Sequence, residues 1–136
     1  MKKLAAVTIT ALLAVLAAGA TVSFGNASGT KVNVTLKEFK LLPSPKTAGA
    51  GRVLFVAKNV GKVRHEMVVI RTNLAPSKLP VTNGRASEKG TVGEIGDVDP
   101  GKTRSKTLVL KAGKYVLICN LKGHHQAGQY AGFTVN

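Results

Sequence analysis

From Lys31 onward the chain is a succession of short β-branched runs separated by turn residues, and no helical period is sustained for more than a turn or two. Residues 32–36 alternate apolar and polar side chains, as a half-buried strand does, and residues 53–57, 67–70, 107–110, 115–118 and 132–135 supply further strands. The breaks carry turn-competent residues: Asn59 with Gly61, Asp99 through Gly101, and Gly113. A chain of this kind buries its apolar faces by stacking sheet on sheet. The expected fold is therefore all-β, a Greek-key β-sandwich of about seven to eight short strands. Residues 72–91 interrupt the rhythm. With Pro76, Pro80, Asn83, Gly84 and Gly90 they read as a long surface excursion holding a short helical turn near Ser77.

The N-terminus follows a different rule. Met1, Lys2 and Lys3 precede an uncharged stretch, residues 4–20, rich in Ala and Leu and ending Ala18-Gly19-Ala20. A positive start, an apolar middle and a small-residue exit are the parts of a secretory signal peptide, which assigns residues 1–20 to export, 21–30 to a flexible lead-in and 31–136 to the folded domain. The alternative is an uncleaved membrane anchor, since the stretch is almost long enough to span a bilayer. Export places the domain in the periplasm or outside the cell, in an oxidising compartment.

That compartment sharpens the composition. The 136 residues hold one cysteine, 20 Lys and Arg against 6 Asp and Glu, and a formal charge of +14, or +12 without Lys2 and Lys3. One cysteine excludes an internal disulfide framework and a Cys-rich zinc site. With only six acidic residues in the chain, a two-carboxylate glycosidase or an EF-hand is not expected. A nucleic-acid binder is suggested by charge alone, and with no Trp, four Phe and two Tyr the chain lacks stacking platforms, so no nucleic-acid partner is expected. An exported lone thiol must be buried or bound to escape oxidation, and Cys119 therefore asks for an explanation.

The residues around it supply one. The strand at 115–118 delivers Cys119; a short loop through Gly123 returns His124 five residues later, and Gln129 follows after a further five, beyond Gly128. Upstream, His65 opens the strand containing Met67. One thiolate and two imidazoles with a weaker ligand beyond is the donor set of a mononuclear blue-copper site. Cys119, His124 and Gln129 at the spacing C-x4-H-x4-Q, with His65 opening an earlier strand, resemble the cupredoxins, the family of plastocyanin, azurin, the phytocyanins and the sulfocyanins. The resemblance covers residues 31–136. It implies one copper ion held by His65, Cys119 and His124, with Gln129 where most members have methionine, as in the stellacyanins. The plant stellacyanins' disulfide has no counterpart here. Met67 reads as core, and His125 as solvent-facing.

What the resemblance implies is an exported, monomeric, non-enzymatic carrier of single electrons between redox proteins. An amide oxygen in the axial place favours the harder Cu(II), so a reduction potential below that of a Met-ligated relative is expected. Support for the Cys119 sulfur is expected from backbone amides near it, with Asn120 and the Asn59 turn as the candidate sources. Lys62, Arg64 and Lys122 flank the histidines, a basic rim able to steer an acidic redox partner or to hold the protein near an anionic membrane surface. The competing reading is copper storage or delivery, which exposed Met or His clusters would favour. A multicopper enzyme would need histidines beyond His65, His124 and His125, and the chain has none.

Overall fold

The computed structural model describes residues 29–136; the segment read as a signal peptide and most of the lead-in lie outside the described residues. In chain order the strands are β1 (Thr30–Lys37), β2 (Lys40–Ser44), β3 (Thr47–Ala48), β4 (Gly51–Asn59), β5 (His65–Arg71), β6 (Val81–Thr82), β7 (Arg85–Ala86), β8 (Thr91–Val98), β9 (Thr103–Leu110), β10 (Gly113–Ile118) and β11 (Tyr130–Val135). They form a four-stranded sheet ordered β2-β1-β4-β9, a five-stranded sheet ordered β3-β11-β10-β5-β8, and the small hairpin β6-β7. The expected all-β sandwich is borne out. The strands beyond the expected seven to eight are short pieces and one longer one, β8, whose alternation is broken by Gly93 and Gly96.

Period-two alternation decides the packing of the first sheet. Val32, Val34 and Leu36 of β1 and Val53, Phe55 and Ala57 of β4 all turn inward and are buried, while the residues between them face water. They meet Met67, Val69, Leu117, Phe133 and Val135 from the second sheet. Phe55 and Phe133 cross edge to face with ring centroids 5.4 Å apart.

The second sheet is read differently because its middle strands are covered on both sides. Residues 67–70 of β5 and 115–118 of β10 are unbroken buried runs. Val68, Ile70, Val116 and Ile118 point away from the sandwich core and pack with Leu79 and Ala86 from the stretch 72–91. That stretch is therefore a correction to the surface excursion expected from its polar sequence: two of its apolar residues close the outer face of the sheet. Its helical turn is where it was expected, a 3-10 turn at Pro76–Lys78. The rest is the β6-β7 hairpin, whose loop residues Asn83 and Gly84 both have positive φ (51° and 77°), as a two-residue type I′ turn requires.

One buried polar residue ties the two sheets at the end where His65 begins. Asn59, fully buried at the end of β4, donates from Nδ2 to the carbonyls of Val63 (2.8 Å) and Val98 (2.7 Å), and its Oδ1 accepts from the Gly61 amide (2.8 Å). It fixes the turn that leads into β5. Asn59→Ala would remove three buried or half-buried hydrogen bonds at once, and we expect it to lower the unfolding free energy by about 2–4 kcal/mol, measured by urea denaturation of the metal-free protein.

Candidate metal centre

His65 is the first residue of β5 and Cys119 the residue after β10, and these strands are antiparallel neighbours with Ile118 opposite Val68. Antiparallel pairing therefore brings the start of one strand beside the end of the other. The loop from Cys119 to Gln129 is closed at its base by the Cys119 amide donating to the Gln129 carbonyl (3.0 Å). Within it the His124 amide donates to Leu121 O (2.9 Å) and the Gln129 amide to His124 O (3.1 Å). Such tight reversals need the left-handed region, and Gly123 (φ 85°) and Gly128 (φ 101°) supply it.

The result is a convergence of donor atoms. Cys119 Sγ lies 3.4 Å from His124 Nδ1 and 3.9 Å from His65 Nδ1. Among the described residues, one atom each from His65, Cys119 and His124 fall within 4.8 Å of one another, and no other set of His, Cys, Asp or Glu converges in this way. Gln129 closes the group: its Oε1 is 3.1 Å from His124 Nδ1, while its Nε2 faces His65 Nδ1 (3.0 Å) and the carbonyls of Lys37 (3.2 Å) and Lys40 (3.4 Å). The two carbonyls accept only from the NH2 end, which turns the amide oxygen toward the cluster. His65, Cys119 and Gln129 are fully buried, and His124 is half-buried.

The surroundings hold each donor in place. Burial pushes the Cys119 thiol pKa up, opposed by the amides of Glu66 and Leu121. The Glu66 N–H reaches Sγ at 3.4 Å. The expected backbone-amide support for the sulfur thus comes from Glu66 and from Leu121, next to Asn120, and not from Asn120 itself or the Asn59 turn. Asn120 instead pairs like a strand with Ala86, accepting its N–H (2.7 Å) and donating to its carbonyl (3.0 Å), and also donates to Glu88 (2.7 Å). Burial likewise lowers the pKa of His65, with Glu38 opposing.

Glu38 is the functional residue that sequence reasoning missed. Its Oε1 is 3.2 Å from His65 Nε2 and accepts from the amides of Lys62 and Val63, each at 2.8 Å. The Val63 amide above all, then its own amide, that of Lys62 and the imidazole, hold its carboxyl down to about 2. A carboxylate behind Nε2 leaves Nδ1 as the nitrogen that faces the sulfur. Nothing in the local sequence marks Glu38, because its partners are 24 to 27 residues away.

Two further placements bear on the expectations. His125 is buried, not solvent-facing: its Nε2–H donates to Pro76 O (2.9 Å) and its ring lies 5.1 Å from that of Tyr130. The 3-10 turn of the covering stretch provides a carbonyl that the sequence could not place. Of the basic rim, Lys62 and Lys122 are exposed, whereas Arg64 is engaged by Asp97 at 2.8 Å. Beside the half-buried His124 lies the exposed Phe39, edge-on to it with ring centroids 5.1 Å apart.

Comparisons with known proteins place the fold. No protein-family model and no curated protein matches the chain. Among solved structures it is similar to the dithionite-reduced auracyanin of the photosynthetic bacterium Roseiflexus castenholzii (18% identity, TM-score 0.61, covering 79% of this chain and 97% of that one). It is similar too to auracyanin A, a "blue" copper protein of the green thermophilic photosynthetic bacterium Chloroflexus aurantiacus (18%, 0.58, 79% and 98%). Rusticyanin from Thiobacillus ferrooxidans matches at 20% identity and TM-score 0.59, over 80% of this chain and 79% of that one. The chain thus has the cupredoxin fold.

The Glu38 contact has a consequence in acid. Its folded-state pKa lies below the unfolded value of 4.5, so the stability it contributes is present above 4.5 and lost as pH falls toward 2. In the metal-free protein, Glu38→Gln should flatten the decline of the urea midpoint between pH 4.5 and about 2 relative to wild type. Equal slopes would assign that decline to other carboxylates.

Proposed function

We propose that the chain is an exported mononuclear blue-copper protein that carries single electrons between redox partners. The observation that carries this reading is the convergence of one buried thiol and two imidazole Nδ1 atoms in a rigid β-sandwich. The donor chemistry fits the ion: sulfur and imidazole nitrogen suit both Cu(I) and Cu(II), and the carboxylate and carbonyl oxygens nearby are turned to other partners. His65, Cys119 and His124 would hold the copper, with Gln129 Oε1 as a further, weaker donor. When bound, copper supplies a one-electron couple.

The chain's own residues do the rest. Burial excludes water from Cys119, and the Glu66 amide satisfies its sulfur in part. Glu38 fixes the tautomer and orientation of His65, and the Lys37 and Lys40 carbonyls fix the Gln129 amide. Groups held this way move little between charge states, which keeps reorganisation small. His124, half-buried behind Phe39, is the ligand edge nearest solvent and the route by which an electron leaves. Lys62 and Lys122 beside that end would steer an acidic partner, and we expect the association rate to fall as salt rises. Storage or delivery is disfavoured by burial: three of the four donor residues are fully enclosed, and Met67 lies in the core.

Adding Cu(II) to the metal-free protein should raise an intense blue or green thiolate-to-copper band. The band should be lost in Cys119→Ser, and its survival there would sink the assignment. With copper bound, Gln129→Met should raise the reduction potential measured by voltammetry; a fall or no change would remove Gln129 from the donor set.

A further inference from the structure

The 18 Lys and Arg of residues 31–136 look scattered in sequence, but strand alternation gathers five of them on one sheet face whose strands carry no carboxylate. Outward-facing positions of the four-stranded sheet carry Lys31 and Lys37 from β1, Lys40 from β2, and Arg52 and Lys58 from β4. All five are exposed, and none forms an ion pair among the described residues. β1, β2, β4 and β9 contain no carboxylate at all. Glu38, in the β1-β2 turn, is already committed to Lys62, Val63 and His65.

We propose that this sheet face is a docking surface for an anionic lipid bilayer, on which the domain lies with its metal-centre end at the margin of the footprint. None of His65, Cys119, His124 and Gln129 is on the face, so the inference is independent of the copper reading.

Three observations favour a lipid plane. First, Lys37 and Lys40 are register partners on one side of the sheet, and like charges directly opposite repel; a layer of anions relieves that repulsion. Second, the cations sit at both ends of the strands, with Lys37, Lys40 and Lys58 toward the metal centre and Lys31 and Arg52 at the far end. Six residues of strand separate Lys31 from Lys37, roughly 20 Å, which exceeds a Debye length of about 8 Å at physiological salt. A compact acidic patch on a protein engages one end; a plane of anionic headgroups engages both. Third, apart from the Asn33 amide, the middle of the face is apolar or hydroxylic. Val109 is 75% and Leu42 46% exposed, and no aromatic residue projects from it, so it offers lysine stems and aliphatic groups to an interface but no platform for stacking nucleobases.

The test is flotation of the full chain with phosphatidylglycerol vesicles and with phosphatidylcholine vesicles. Wild type should bind the anionic vesicles, bind the neutral ones far less, and lose binding as salt rises. At about fivefold per basic residue near an anionic surface, Lys31→Gln, Arg52→Gln and Lys58→Gln combined should weaken partitioning about a hundredfold. Val109→Glu, an exposed change on the same face, should also weaken it, whereas Lys62→Gln with Lys122→Gln should stay within a few-fold of wild type. Equal binding to neutral vesicles, attributable to the apolar residues 4–20, would overturn the proposal. So would unchanged binding in the triple variant, or retention by polyglutamate beads without binding to vesicles, which would mark the face as one for acidic proteins.

Discussion

The register between β5 and β10 is the constraint on which the rest depends. With Ile118 opposite Val68, the residue that opens β5 and the residue that follows β10 meet at one end of the sandwich. A slip of one residue would turn Met67 and Val69 out of the core and Val68 and Ile70 into it, and would carry His65 to the other face. Both faces of these strands are packed against apolar neighbours, so a slip would have to refit side chains of different shape into both clusters at once. Packing of Leu79 and Ala86 on the outer face thus defends the geometry of the donors as directly as the core does.

Polar groups then convert that register into a rigid end. Asn59 pins the turn before β5, Glu38 takes the far nitrogen of His65, and Asn120 draws the start of the loop against the β6-β7 hairpin. The Gly123 amide, inside the loop, is held by Gly84 O at 2.7 Å, and Arg85 reaches Asn120 O at 2.8 Å. Each of these buried or half-buried groups is expensive to leave unmade, so loop and turn are held by several independent hydrogen bonds. A donor set restrained from both sides has little freedom to reshape itself when its charge changes.

Strand-forming residues and the donor spacing were legible in the sequence because both are local. Alternation in β1 and β4, the apolar runs of β5 and β10, and Cys119, His124 and Gln129 on one loop need no knowledge of the tertiary fold. What was not legible depends on distant partners. Glu38 gains its role from Val63 and His65, and His125 is buried by a carbonyl at Pro76. β8 hides behind Gly93 and Gly96, which interrupt its apolar alternation. Asn83-Gly84 was visible as a turn signal, and with residues 81–82 and 85–86 on either side it could have been read as a hairpin.

Charge is divided along the same architectural lines. Apart from Glu38, the acidic residues fall on β5, β8 and the turns flanking β8, at one edge of the five-stranded sheet, while the outer face of the other sheet is purely basic. The acids serve local ends: Asp97 pairs with Arg64, and Glu88 receives Asn120. With so few carboxylates, and those few near the loop and the β8 edge, the opposite sheet face keeps its full positive potential. Net charge alone says only that the molecule is basic. Its placement by strand parity gives the molecule a direction, with a cationic side, a braced metal-binding end, and His124 opening at the boundary where a partner could approach without competing for the charged face.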